Sequence, residues 1–169
     1  KDSNVMPDEM ILCNIVSACG RTGNTSYNRA IYEFLKENDV RMDTHLLTSL
    51  VTMYAGAGCM DMAMEFYMKM SVRSLFISTA MVSRFSKAGR LEEARDVFDQ
   101  MEKKDLVCWT TMITGYAESD HPREALRVFE EMCRSGIKPD EIAICSVISA
   151  CANLGALDKA KWIHDYTGL

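Results

Sequence analysis

Seven cysteines and three histidines are the side chains of this 169-residue chain best suited to metal or nucleophilic chemistry. Their spacing argues against both. No two cysteines stand as Cys-x-x-Cys and no histidine lies at ligand spacing from one, so no metal site is expected. An odd number of cysteines without a pairing framework favours reduced thiols. Cys13/Cys19 and Cys145/Cys151 share one spacing because they share places in a repeat, which points to packing. His45, His121 and His164 fall at unrelated places and read as surface or groove residues. A phosphate-cradling glycine loop, a Gly-x-Ser-x-Gly elbow, a His-Glu-x-x-His helix and the His-x-Glu with Pro-Cys-x-x-Cys pattern of nucleobase deaminases are all absent. The chain therefore reads as no enzyme, with no catalytic residue and no cofactor.

Composition bounds the alternatives. With 48% apolar and 25% charged residues the chain reads as a globular protein. Nineteen Lys and Arg against 24 Asp and Glu give a net charge of −5 with no basic block, which lacks the footprint of a duplex-DNA or membrane-surface binder. No apolar run approaches the roughly 18 residues of a membrane span, so no membrane partner is expected. The opening Lys1-Asp2-Ser3-Asn4 carries neither a signal core nor a transit pattern and reads as the start of a fragment.

What must position any functional residue is a repeat. Ala63, Ala94, Ala125 and Ala160 stand 31, 31 and 35 residues apart, and five residues before them stand Gly58, Gly89, Asp120 and Gly155. Met70, Met101 and Met132 follow the first three alanines at a constant offset, and Tyr54, Phe85 and Tyr116 keep the 31-residue register upstream. Ser17-Ala18-Cys19 returns as Ser149-Ala150-Cys151, 132 residues later. The register gives units 9–43, 44–74, 75–105 and 106–140, an incomplete 141–169, and a tail at 1–8 from a preceding unit.

Within a unit the apolar residues keep helical period. Trp109, Met112, Ile113 and Tyr116 form one stripe, and Ala125, Val128, Phe129 and Met132 another. Two helices per unit follow, with Gly23, Gly58, Gly89 and Gly155 between them where a positive φ ends the first helix. Asp120 takes that place in one unit and is followed by His121-Pro122, proline suiting a first helical turn. Pro7-Asp8 and Pro139-Asp140 close a unit and offer an aspartate N-cap to the next. A hairpin this short cannot bury its own apolar face, so the expected fold is all-α: helix-turn-helix units stacked into an α-α superhelix, or solenoid, forming one domain. The long surface of such a stack suits an extended polymer, either peptide or single-stranded nucleic acid.

An array mixing 31- and 35-residue units, with glycine between the helices, alanine five residues on, Phe-x-x-Met at 98–101 and 129–132, and Lys138-Pro139-Asp140 as a closing phrase resembles the pentatricopeptide repeat family. The alternation of lengths resembles its plant-specific PLS subclass of long, short and standard units. By that likeness 9–43 and the incomplete 141–169 look like the long type, 44–74 and 75–105 the short type, and 106–140 the standard type.

The resemblance implies sequence-specific binding of single-stranded RNA, one base per repeat. In the family the fifth and last residues of a unit read the base and the second packs against it. Carried over, the base readers are Thr48 with Ser74, Thr79 with Asp105, and Thr110 with Asp140, the last two resembling the family's guanine combination. The chemistry agrees, because an ionised aspartate only accepts hydrogen bonds and guanine's Watson–Crick edge presents two adjacent N–H donors. Ser74 departs from the usual Asn or Asp, so discrimination in that unit should weaken, with a purine expected. The long units, with Cys13/Asp43 and Cys145, are assigned no base. The base-packing residues are His45, Phe76, Val107 and Ile142, and Arg21 and Lys87 stand where a cation would meet phosphate, a place taken by Glu118 in another unit.

The resemblance further implies an organellar protein, in plastid or mitochondrion, acting in C-to-U RNA editing or related processing beside editing accessory proteins. At about 1–3 kcal/mol per stacked base against an association cost of at least about 4 kcal/mol, three readable bases barely suffice, so specificity is expected to belong to a longer array. The alternative is a protein-binding scaffold holding a peptide or an accessory protein. Met60, Met62, Met64, Met68 and Met70 crowd one second helix, where they fill gaps between hairpins or meet a partner. Uncapped apolar ends of the stack would also favour self-association.

Overall fold

A computed structural model describes residues 9–22, 25–38 and 40–167 of the chain. Among them are ten α-helices and no strand: α1 Glu9–Thr22, α2 Thr25–Glu37, α3 Thr44–Gly56, α4 Met60–Lys69, α5 Leu75–Lys87, α6 Leu91–Asp99, α7 Leu106–Glu118, α8 Pro122–Arg134, α9 Glu141–Leu154 and α10 Leu157–Thr167. The proposed tail at 1–8 and Gly23 lie outside the described residues. Two compact units divide the chain, Lys1–Ile77 and Ser78–Leu169, with the boundary inside α5.

Helix starts are set by side-chain caps. Asp43, Asp105 and Asp140 each sit in extended backbone and accept from the amide three residues on, at Leu46 (2.7 Å), Cys108 (2.9 Å) and Ala143 (2.8 Å). Ser74 Oγ accepts in the same pattern from Ile77 N at 3.3 Å. Each cap satisfies one of the orphan N–H groups of a first turn, an interaction of about 1 kcal/mol. Pro122 opens α8, where its missing N–H costs nothing.

In the first unit α3 packs against both α1 and α4. Leu46, Leu50, Val51, Ala63 and Phe66 are fully buried there. The Phe66 ring stacks on Tyr54 (centroids 5.4 Å apart) and meets the edge of Tyr32 at 6.2 Å. Of the methionines of α4, Met60 is buried and Met68 exposed, and Met70 just beyond the helix is buried.

In the second unit first helices pack on first helices, α7 against α9, while α8 fills the angle between them and α10 covers α9. Both apolar stripes of the 106–140 segment are inside: Trp109, Met112, Ile113 and Tyr116 on α7, and Ala125, Val128, Phe129 and Met132 on α8. The second helices are also tied across hairpins by charge. Arg95 of α6 reaches Glu131 of α8 at 3.0 Å, and Lys159 of α10 reaches Glu130 at 2.6 Å. This neighbour-on-neighbour stacking of α-hairpins is the building rule of an α-α superhelix. No helix among the described residues is long and apolar enough to cross a membrane.

The turns between paired helices need a left-handed residue. Gly58 (φ 76°), Gly89 (φ 73°) and Gly155 (φ 63°) supply it, and Asp120 adopts the same conformation at φ 59°. A side chain there is strained by its Cβ, less for aspartate than for most residues. Asp120→Gly is therefore expected to raise the unfolding free energy by about 0.5–1 kcal/mol, visible as a higher urea midpoint. A lower midpoint would show that the aspartate side chain contributes more than its backbone costs.

Candidate nucleic-acid interface

The polar residues of the first helices recur every fourth position, so they share one face. On α7 these are Thr110, Thr114 and Glu118, and on the part of α5 within the second unit Thr79, Ser83 and Lys87. α5 and α7 approach closely here, because Gly115 is buried and a Cβ at that position would stand 3.0 Å from Ser86 Cβ. The result is an open cleft of about 370 Å³, lined by Ser83, Ser86 and Lys87 of α5, by Val107, Thr110, Thr111, Thr114 and Glu118 of α7, and by Asp140 and Ile142 at the start of α9.

At the cleft floor the hydroxyl of Thr110, itself 8% exposed, donates to Asp140 Oδ1 at 3.1 Å. The same Oδ1 accepts from Ala143 N, so one carboxylate oxygen holds both protein hydrogen bonds and Oδ2 holds none. With its one O–H directed at the carboxylate, the Thr110 oxygen can only accept from another partner. Thr110 Oγ1 and Asp140 Oδ2 thus form two acceptors side by side. Beside them stand Val107 and Ile142, apolar side chains 60% and 61% exposed that line the same cleft. Lys87 is exposed and lines the same cleft, with Glu118 also on its wall.

The other expected pairs are built differently. Asp105 caps α7 through Oδ1, but no hydrogen bond joins it to Thr79, whose hydroxyl is buried without a partner. Thr48 turns its hydroxyl back onto the Thr44 carbonyl at 2.7 Å, and Ser74 caps α5, so that pair is not joined either. His45 and Phe76, like Val107 and Ile142, are exposed at the second position of their helices, Phe76 by 75%. The Arg21 side chain lies outside the described residues.

Several lining residues were not singled out from the sequence. Ser83 and Thr114 occupy equivalent places 31 residues apart, and Thr114 shares a hydroxyl hydrogen bond of 3.1 Å with Ser146 on α9. The signal was present in the fourfold spacing of small polar residues along each first helix. Ser86 and Gly115 carried no signal, since their role is the closeness of two helices.

Known proteins place this architecture. The model of the PPR repeat matches residues 46–75 and 76–106, and that of the PPR repeat family matches 104–153, so the matches together run through more than half of the chain. Pentatricopeptide repeat-containing protein At4g14820 of Arabidopsis thaliana is 81% identical over 97% of this chain and 23% of its own length. The mitochondrial At2g22410 protein of that plant is 43% identical over 98% of this chain and 24% of its own length, and the chloroplastic At1g08070 protein 31% identical over 97% and 18%. The chain spans about a quarter or less of these relatives. Among solved structures, the PPR domain of Arabidopsis thaliana protein-only RNase P 1, in complex with tRNA, superposes with a TM-score of 0.76 at 16% identity over 94% of this chain and 88% of that one. PPR10 in complex with an 18-nucleotide psaJ RNA element superposes with a TM-score of 0.63 at 21% identity over 98% and 26%. With its stacked α-hairpins and its repeat matches, the chain belongs to the pentatricopeptide repeat family.

Proposed function

We propose that this chain recognises single-stranded RNA base by base, and that the 106–140 hairpin selects guanine through Thr110 and Asp140. The observation that carries the reading is the Thr110–Asp140 hydrogen bond, which commits the Thr110 proton and so leaves its oxygen an acceptor next to the aspartate carboxylate. Guanine offers two adjacent N–H donors to such a pair, whereas adenine and cytosine offer a donor beside an acceptor and uracil one donor between acceptors. Val107 and Ile142 would enclose the ring, and Lys87 would meet a phosphate. In the two short units the readers would be Thr79/Asp105, again for guanine, and Thr48/Ser74, with weaker discrimination and a purine expected. Phe76 and His45 would be packing residues and the unit bounds 44–74, 75–105 and 106–140, while the long units read no base.

The reading gains support from the RNA-bound protein PPR10 that shares this fold. The alternation of unit lengths favours the PLS subclass and a role as specificity factor in C-to-U editing within a longer protein. The mitochondrial and chloroplastic names of two relatives favour an organellar setting. A second reading, a protein-binding scaffold for a peptide or accessory protein, is favoured by a separate cleft of about 570 Å³ beside α8 and α10, where the rings of Trp162 and Tyr166 stack at 5.5 Å.

Selection from a random RNA pool tests the proposal, using a longer array that contains these hairpins at one fixed salt concentration. Thr79→Asn with Thr110→Asn is expected to move two adjacent selected positions from guanine towards uracil. If the array enriches no sequence and the double change has no effect, the scaffold reading replaces the RNA reading.

A further inference from the structure

We infer that Gly115, near the C-terminal end of α7, is a positioning residue for base reading. By letting α5 and α7 close on one another it sets the separation of Thr79 from Asp105, and so decides whether one base meets both. The inference rests on the RNA reading above, and Gly115 acts through the two helices rather than on a base.

A glycine inside a helix needs a reason, because it weakens the helix relative to alanine. Gly115 lies within α7 and lacks the positive φ of Gly58, Gly89, Gly136 and Gly155, so no special backbone conformation requires it. The reason is steric. A Cβ there would stand 3.0 Å from Ser86 Cβ and 3.1 Å from Ser86 Oγ on α5, and 3.4 Å from Leu91 Cδ2 at the start of α6. Relaxed carbon contacts lie at about 3.5–4.0 Å. The Leu91 methyl and the Ser86 hydroxyl can rotate away. Ser86 Cβ is fixed to the helix backbone, so a methyl at position 115 is relieved by moving α5 from α7.

The two reading pairs depend on this spacing unequally. Thr79 stands on α5 and Asp105 caps α7, so their separation follows the α5–α7 distance. Thr110 stands on α7 and Asp140 caps α9, so theirs follows the α7–α9 distance. In α9 the place of Gly115 is taken by Ala150, 35 residues on and fully buried. A methyl is thus accommodated at that place in α9 but not in α7. The Thr110–Asp140 hydrogen bond at 3.1 Å also ties the second pair directly. No hydrogen bond joins Thr79 to Asp105, so the first pair keeps its distance through the packing of the two helices that carry it.

The test measures binding of RNAs that differ only at the two facing bases, using a longer array that contains this chain at one fixed salt concentration. Gly115→Ala is expected to lower the guanine-over-adenine preference at the base facing 75–105 by about fivefold and to change that at the base facing 106–140 by less than about twofold. Ser86→Val thickens the same contact from the α5 side and breaks no hydrogen bond, since the Ser86 hydroxyl has no partner, and the same selective loss is expected. Gly115→Ala with Ser86→Gly moves the missing Cβ from one helix to the other and is expected to restore the parent preference. Continued reading of the 106–140 base shows that each variant is folded. Unchanged preference at the 75–105 base in Gly115→Ala and Ser86→Val, equal losses at both bases, or a loss that the Cβ exchange does not restore overturns the inference. A parent indifferent to both bases overturns the RNA reading itself.

Discussion

On the proposed RNA reading, Asp140→Asn, placed in an array that carries these hairpins, is expected to move the base chosen by the 106–140 hairpin from guanine to adenine. Asparagine is as good an N-cap as aspartate, so Ala143 N keeps its acceptor and α9 keeps its start. With Oδ1 still held by Ala143 N and the Thr110 hydroxyl, the atom turned to the groove changes from a carboxylate oxygen to an amide nitrogen. The acceptor pair becomes an acceptor beside a donor, which complements the N6 amino group and N1 of adenine. One well-placed base contact discriminates by about 1–3 kcal/mol. Fluorescence anisotropy with two RNAs differing at that base should record a swing of roughly 10- to 100-fold in relative affinity. Equal affinities for the two RNAs in both proteins would remove Asp140 from the reading.

Phe66→Ala destabilises the first unit by about 3–5 kcal/mol. Its ring is fully buried, stacks on Tyr54 and is met edge-on by Tyr32, so truncation loses the transfer free energy, leaves a cavity and unpairs two aromatic neighbours. Because stacked hairpins are stabilised mainly by near neighbours, hydrogen-exchange protection should fall first in α3 and α4. Urea unfolding that shows a loss below about 1 kcal/mol would mean that the site collapses around the smaller side chain.

The readable part of the chain was that in which each position has one local cause. Apolar residues at helical spacing, as from Trp109 to Tyr116 and from Ala125 to Met132, went to the core because nothing else fits their period. Residues that close a unit became caps for the same local reason, as Asp140 shows. The candidate site was legible only through the family resemblance laid onto the repeat register, which pairs Thr110 with Asp140, the two residues that a hydrogen bond joins.

What escaped depends on the side chain of a neighbouring hairpin. Nothing about Thr79 and Asp105 as residue types distinguishes them from Thr110 and Asp140, yet a hydrogen bond joins only the second pair. The ion pairs from Arg95 to Glu131 and from Lys159 to Glu130 were equally hidden, since they cross hairpins whose stacking offset no single repeat contains. The partner-free Ser86 hydroxyl, buried where α5 meets Gly115, belongs to this group.

The capping aspartates also bear on how such a protein changes its target over evolutionary time. Asp43, Ser74, Asp105 and Asp140 each cap the following helix, so a mutation there alters folding. The residues that hold a helix start are few, chiefly Ser, Thr, Asp and Asn. If those positions also choose bases, the vocabulary open to a drifting array is confined to these short polar side chains, and any other letter is removed by selection for stability before its binding is ever tried.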